Sequence, residues 1–237
     1  MKLENLKYQI SLFGNYEEIV PNIETIKQFV ELFTDEKLIP NQFKEFNLDL
    51  KEEMSRLSLT SIDNSFTINF NSDRIDFILT NINLGVFSML DFSTFINNIK
   101  NYVLKIDSVS KKKHKRIGLI RDVLVSEIDT DSLQRKFNNN IIFFNDKKKN
   151  EWSNSNASRF EKEDEIFNVI SNIRTLKTRM LMLNDHKIFE GLLINLDVNT
   201  IVENQNYRFN SENFNQNIDN ISMISDEIYN QTYEFLK

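Results

Sequence analysis

Five of the six residues in Lys111-Lys112-Lys113-His114-Lys115-Arg116 carry a formal positive charge, the strongest local electrostatic feature of this 237-residue chain. Cations so spaced gain free energy on phosphates by releasing counterions, so the run reads as a contact surface for DNA, RNA or a nucleotide. It also follows a predicted helix, where cations suit the negative end of the helix dipole and face water. Lys147-Lys148-Lys149 would extend such a patch, and Arg174, Lys177 and Arg179 would line a neighbouring strand. Neither lysine run is interleaved with the aromatic residues on which unpaired bases stack.

A second chemistry needs carboxylates. Glu127, Asp129 and Asp131 follow a predicted strand, and Glu190 and Asp197 lie on a later one. Carboxylates gathered at strand ends hold Mg²⁺ in nucleases, although acidic residues also serve there as ordinary caps and turns. The two histidines, His114 and His186, have no HxH or HExxH spacing and read as surface imidazoles.

The chain has no cysteine, which removes thiolate nucleophiles, disulfides and Cys-based zinc sites. Glycine occurs only at positions 14, 85, 118 and 191, so neither a P-loop nor a GxGxxG turn can be written, and no GxSxG elbow is present. No catalytic residue, metal ligand or cofactor is therefore assigned. Trp152, the single tryptophan, stands in a polar stretch. It reads either as an anchor for a partner or as a pin that ties the stretch to the domain.

These residues must be positioned by a scaffold rich in strands. Tyr8, Ile10 and Leu12 alternate as in a half-buried strand, and Ile23, Ile26, Phe29, Val30 and Phe33 then recur at helical spacing after Pro21. Arg56 to Ile62, Phe66 to Phe70 and Ile75 to Leu79 form a meander joined by Asp63-Asn64-Ser65 and Asn71-Ser72-Asp73. Asp91 caps a helix whose apolar side is Phe92, Phe95, Ile96, Ile99, Tyr102, Val103 and Ile106. Strand character returns at Ile117 to Val125, at Ile166 to Leu183 and at Ile188 to Val198, with Asn184-Asp185-His186 as a turn. Ile218, Ile221, Ile224, Ile228 and Phe235 share one side of a terminal helix.

This order predicts an α+β fold, mainly antiparallel sheet with helices packed on one face, arranged as one unit or as two sheet-plus-helix halves. The expected divisions are a strand-helix-meander-helix-strand half over 1–128, a polar connection or flap over 129–165, and the remaining strands and terminal helix over 166–237. The abundant asparagine reads as compositional drift, since no contiguous biased tract exists.

The segments Arg56-Leu-Ser-Leu-Thr-Ser-Ile-Asp63, Phe66 to Asn81, Lys115-Arg-Ile-Gly-Leu-Ile-Arg121 and Leu192-Leu-Ile-Asn-Leu-Asp-Val198 resemble an uncharacterised, sporadically distributed bacterial family with a β-meander, a long helix, a "RIGL" strand and a C-terminal helix. Ile120-Arg121-Asp122-Val123 stands where that family has "RYIN". The resemblance implies an accessory role in defence or mobile-element loci, with a protein partner encoded nearby.

The formal net charge of -6 argues against a dedicated nucleic-acid coat. No run is apolar enough to span a bilayer, and the first residues hold no signal-like segment, so a cytoplasmic, membrane-free setting is expected. The leading expectation is a non-catalytic accessory protein that binds a macromolecular partner, with Trp152 as its anchor. The alternatives are nucleic-acid or nucleotide sensing through Lys111, Lys112, Lys113, Lys115 and Arg116, and a divalent-metal nuclease.

Overall fold

A computed structural model describes residues 1–47, 51–82, 89–129, 151–179 and 188–237. Nine strands form one antiparallel sheet in the order β2-β3-β4-β5-β1-β6-β9-β8-β7. In chain order they are β1 (Lys2–Phe13), β2 (Ile39–Asn47), β3 (Glu52–Thr60), β4 (Phe66–Phe70), β5 (Arg74–Thr80), β6 (Arg116–Ser126), β7 (Ser153–Lys162), β8 (Glu165–Arg179) and β9 (Ile188–Thr200). The helices among the described residues are α1 (Ile23–Leu32), α2 (Phe92–Ser110) and α3 (Phe214–Leu236). The α+β expectation holds, and the strands of 1–128 and 166–237 are joined edge to edge in one continuous sheet through the β6–β9 ladder.

Strand β1 is central, and its register decides both faces of the sheet. Ile10 stands opposite Phe77 of β5 and Leu119 of β6, while Leu12 stands opposite Ile75 and Ile117. Side chains alternate along a strand, so these residues share one face, and all of them are buried. The three helices cover that face. The rings of Phe92 and Phe95 on α2 lie 5.1 and 5.4 Å from Tyr8, Phe29 on α1 lies 4.6 Å from Phe70, and Ile218, Ile221 and Ile224 of α3 join the same cluster. On the other face Ser11 stands between Asp76 and Gly118, and Phe13 between Arg74 and Arg116.

The local chemistry explains the elements. Asn22 caps α1 by accepting from Thr25 N at 2.8 Å, and Asp91 caps α2 by accepting from Thr94 N at 2.9 Å. Asp63 closes the β3–β4 turn by accepting from Ser61 Oγ at 2.6 Å and Ser65 N at 3.1 Å, with Asn64 in the left-handed region at φ 59°. The buried apolar side chains of α2 fall on the side that its periodicity selects, Phe92, Phe95, Ile96, Ile99, Val103 and Ile106, with Tyr102 half-buried and Asp107 buried beside them.

Part of the polar stretch expected over 129–165 is strand. Residues 153–162 form β7, paired with β8 from Ser153↔Arg174 to Lys162↔Glu165. Its Ser- and Asn-rich sequence suits an edge strand, which buries little on either face. The structure also contains β2, which carries Pro40 at its start and lies at the other edge.

Candidate functional site

The lysine run begins where α2 ends. Lys111 adopts the left-handed conformation at φ 44° and donates its backbone N–H to Asp107 O at 3.0 Å, closing the helix. That turn throws Lys111, Lys112 and Lys113 outward among three clefts of 460, 440 and 320 Å³, and Lys112 lines all three. Opposite the lysines in the 460 Å³ cleft stand Glu17, Glu18 and Tyr207. Lys112 Nζ pairs with Glu18 at 2.8 Å. The second cleft adds Leu104 and Asp107 of α2, and the third adds Val109 and Phe29.

Two buried devices hold the acidic and aromatic walls in place. Arg56 is fully buried on β3 and donates to Phe70 O at 3.0 Å, Tyr16 O at 2.7 Å and Glu17 O at 3.2 Å, with Glu45 3.4 Å away. It thereby pins the backbone that carries Glu17 and Glu18. His114 exchanges backbone hydrogen bonds with Phe209, N to O at 2.7 Å and O to N at 3.0 Å, which brings Tyr207 beside the lysines. Arg208 reinforces this bridge through Glu165 at 2.8 Å and the carbonyl of Lys115.

The surface reading of His114 is corrected. Its ring is 1 % exposed, and Nδ1 shares a 2.6 Å hydrogen bond with Tyr16 Oη. Burial lowers the imidazole pKa to about 4 and raises the Tyr16 hydroxyl well above its ordinary value. Asp107 is buried here as well, and desolvation raises its carboxyl to about 6.

Lys115 and Arg116 diverge from the three lysines because the inward turn of His114 separates them. They line a smaller cleft of 150 Å³ with Phe13 and Asp73. The aromatic partners absent from the local sequence arrive from elsewhere: Lys115 Nζ lies 5.4 Å from the Tyr207 ring centre, and Arg116 Cζ stacks 3.6 Å over Phe13.

Trp152 is half-buried against a second cluster that includes Val123, Ile173, Leu192 and Leu236. Its backbone N–H donates to Thr175 Oγ1 at 3.1 Å, and its carbonyl accepts from Thr175 N at 3.0 Å. These contacts fit the pin reading. Among the described residues no group of three or more His, Asp or Glu side chains gathers as a metal site. Glu190 faces Lys177 at 3.6 Å, and Asp197 accepts from Asn199. Arg174 is exposed on β8. Asp131, Lys147 to Lys149 and His186 lie outside the described residues, as does the side chain of Arg179.

Glu17, Glu18, Tyr207, Asp107, Phe13 and Asp73 were not legible as site residues. Asp107 arrives with α2 itself, one turn before Lys111, and reads there as an ordinary polar helix residue, whereas the others are brought to the site by pairing between distant segments. No described helix is long and apolar enough to cross a membrane. Comparison with protein-family models, curated proteins and solved structures finds no match for this chain.

Proposed function

We propose that this chain is a non-catalytic binding protein that docks a polypeptide partner at the end of α2. The observation that carries this reading is the meeting of three clefts at Lys112, walled by Lys111, Lys112 and Lys113 on one side and by Glu17 and Glu18 on the other. Phosphates tracking along the lysines would meet those carboxylates, whereas a polypeptide carries both charges and complements both walls. Tyr207, 48 % exposed, and Leu104, 45 % exposed, supply the apolar and aromatic area that anchors protein interfaces. The packing of Trp152 on the core moves the expected anchor from that residue to Tyr207. An accessory role beside a partner encoded nearby, as the family resemblance implies, belongs to the same proposal.

Charge reversal on each wall tests it. Lys111→Glu with Lys113→Glu, and separately Glu17→Lys with Glu18→Lys, are compared with wild type by cross-linking in native cells and mass spectrometry of the adduct. A polypeptide partner is lost about tenfold by both pairs, the scale expected when complementary charges are inverted. If the glutamate reversals instead create salt-sensitive retention of DNA or RNA with no protein adduct in wild type, the nucleic-acid reading replaces this one. An adduct of unchanged yield in both pairs overturns the assignment of this surface.

A further inference from the structure

Arg116 is a positioned guanidinium with no hydrogen-bond or ion-pair partner among the described residues. The other described arginines with buried or half-buried heads are all engaged: Arg56 on three carbonyls, Arg74 on Asp76, Arg121 on Asp226 and Arg208 on Glu165. Arg116 makes no ion pair and no side-chain hydrogen bond among the described residues, and its Nε is buried without a partner. Burial lowers its pKa, and the charges of Asp197 and Asp73 nearby offset this only in part. The neighbouring carboxylates do not serve. Asp76 already accepts from Ser11 Oγ at 2.6 Å, Arg74 Nε at 2.8 Å and Asn71 Nδ2 at 3.0 Å, while Asp197 accepts from Asn199.

The fork is nevertheless held. Its Cζ stacks 3.6 Å over Phe13, which the sheet register places between Arg74 and Arg116. A guanidinium fixed on an aromatic face has already lost much of its rotamer freedom, so little further order is needed to present its donors in pairs. The adjoining cleft is 150 Å³, room for one tetrahedral oxyanion but not for a nucleoside, and Lys115 brings a second cation to its wall. Lys115 is itself tied down, with its backbone N–H on Phe13 O at 2.7 Å. Asp73, exposed at the rim, is the one carboxylate among the described residues lining that cleft.

We propose that Arg116 and Lys115 form a subsite for the phosphate group of a small ligand, with Phe13 holding the guanidinium fork in place. The paired N–H donors of Arg116 match two phosphate oxygens, and Lys115 neutralises the remaining charge. Asp73 weakens the site and limits it to ligands that approach past a negative rim. This subsite opens separately from the clefts around Lys112 and meets them at Tyr207, whose ring lies 5.4 Å from Lys115 Nζ.

The test is a titration of the full chain at constant ionic strength with inorganic phosphate and with phenyl phosphate, read on the Arg116 Nε–H signal by NMR. Saturable shifts with both probes are expected, and tighter binding of the ester would identify a phosphorylated organic molecule as the ligand. Arg116→Ala lowers phosphate affinity about tenfold or more, the scale for losing a pair of charge-assisted hydrogen bonds. Arg116→Lys keeps the charge without the fork and is also weaker than wild type, which covers the case in which the alanine variant does not fold. Asp73→Asn removes a like charge from an exposed turn and tightens binding. The proposal is overturned if wild type gives no saturable shift, if Arg116→Lys binds as wild type does, or if Asp73→Asn leaves affinity unchanged.

Discussion

Tyr16 Oη and His114 Nδ1 lie 2.6 Å apart in the interior, joining the loop after β1 to the segment that leads into β6. The pair shares one hydrogen bond whichever ring nitrogen carries the proton. Tyr16→Phe keeps the ring but strands the imidazole, and should destabilise the fold by about 1–3 kcal/mol in urea denaturation. A melting curve identical to that of wild type would show that the bond contributes nothing.

The same buried histidine gives a pH dependence with a definite sign. The unfolded chain takes up the His114 proton near its ordinary value of 6.5, the folded chain only near 4. Its contribution to stability is therefore complete above pH 6.5 and is lost as pH falls through that interval. His114→Gln should flatten the acid limb of stability against pH, measured by denaturation from pH 7 to pH 4.

Asp107 works in the opposite direction. Desolvation holds its carboxyl at about 6 in the folded chain, so the folded state keeps a proton that the unfolded chain has already released. Stability from this group is greatest at acid pH and declines as pH rises through about 6, leaving a buried charge at neutrality. Asp107→Asn should stabilise the fold at pH 7 by about 1–3 kcal/mol and have almost no effect at pH 4. An equal effect at both values would assign the gain to packing.

Arg121 and Asp226 should respond unequally although they form one 2.7 Å ion pair. Arg121 is buried on the helix side of the sheet, stacked 3.9 Å over Tyr229 and 4.7 Å over Phe92, whereas half of the Asp226 side chain is exposed. Arg121→Ala removes stacking and packing and should cost about 2 kcal/mol or more. Asp226→Asn, which loses only a partly solvated attraction, should cost less than about 1 kcal/mol. The difference is read from urea midpoints.

Gly118 pairs with Ser11 on one side and Asn199 on the other, and a Cβ there would collide with Asn199 Oδ1. Gly118→Ala obliges the Asn199 amide to turn aside from Asp197 and should destabilise by about 1 kcal/mol. Adding Asn199→Ser should recover part of the loss in the double variant.

The elements legible in the sequence are those in which burial follows a simple period. Helix α2 shows its buried side every third or fourth residue, and β4 and β5 alternate around short Asx turns. Strand β2 breaks alternation, with Phe46 58 % exposed and Pro40 near its start, because an edge strand that overhangs β4 has less to bury. Strand β7 fails for a related reason. Its stability comes from a backbone ladder to β8, which serine and asparagine support without any apolar signal.

The candidate site was half legible. Its cations are contiguous, but Glu18 and Tyr207 are brought to them by folding from far along the chain. His114 reads as part of a charged surface and is turned inward by a two-residue bridge to Phe209 that no local pattern encodes.

The central place of β1 also sets an order on folding. It is made before both of its neighbours, yet it must receive β5 along one edge and β6 along the other, so its ladder cannot close until Ser126 has emerged. Until then the strand is a long unpaired template carrying Tyr8, Ile10 and Leu12, and the nascent chain depends on the β3–β5 meander to occupy one edge first. The strand that unites the sheet is thus also its greatest exposure to misassembly during synthesis.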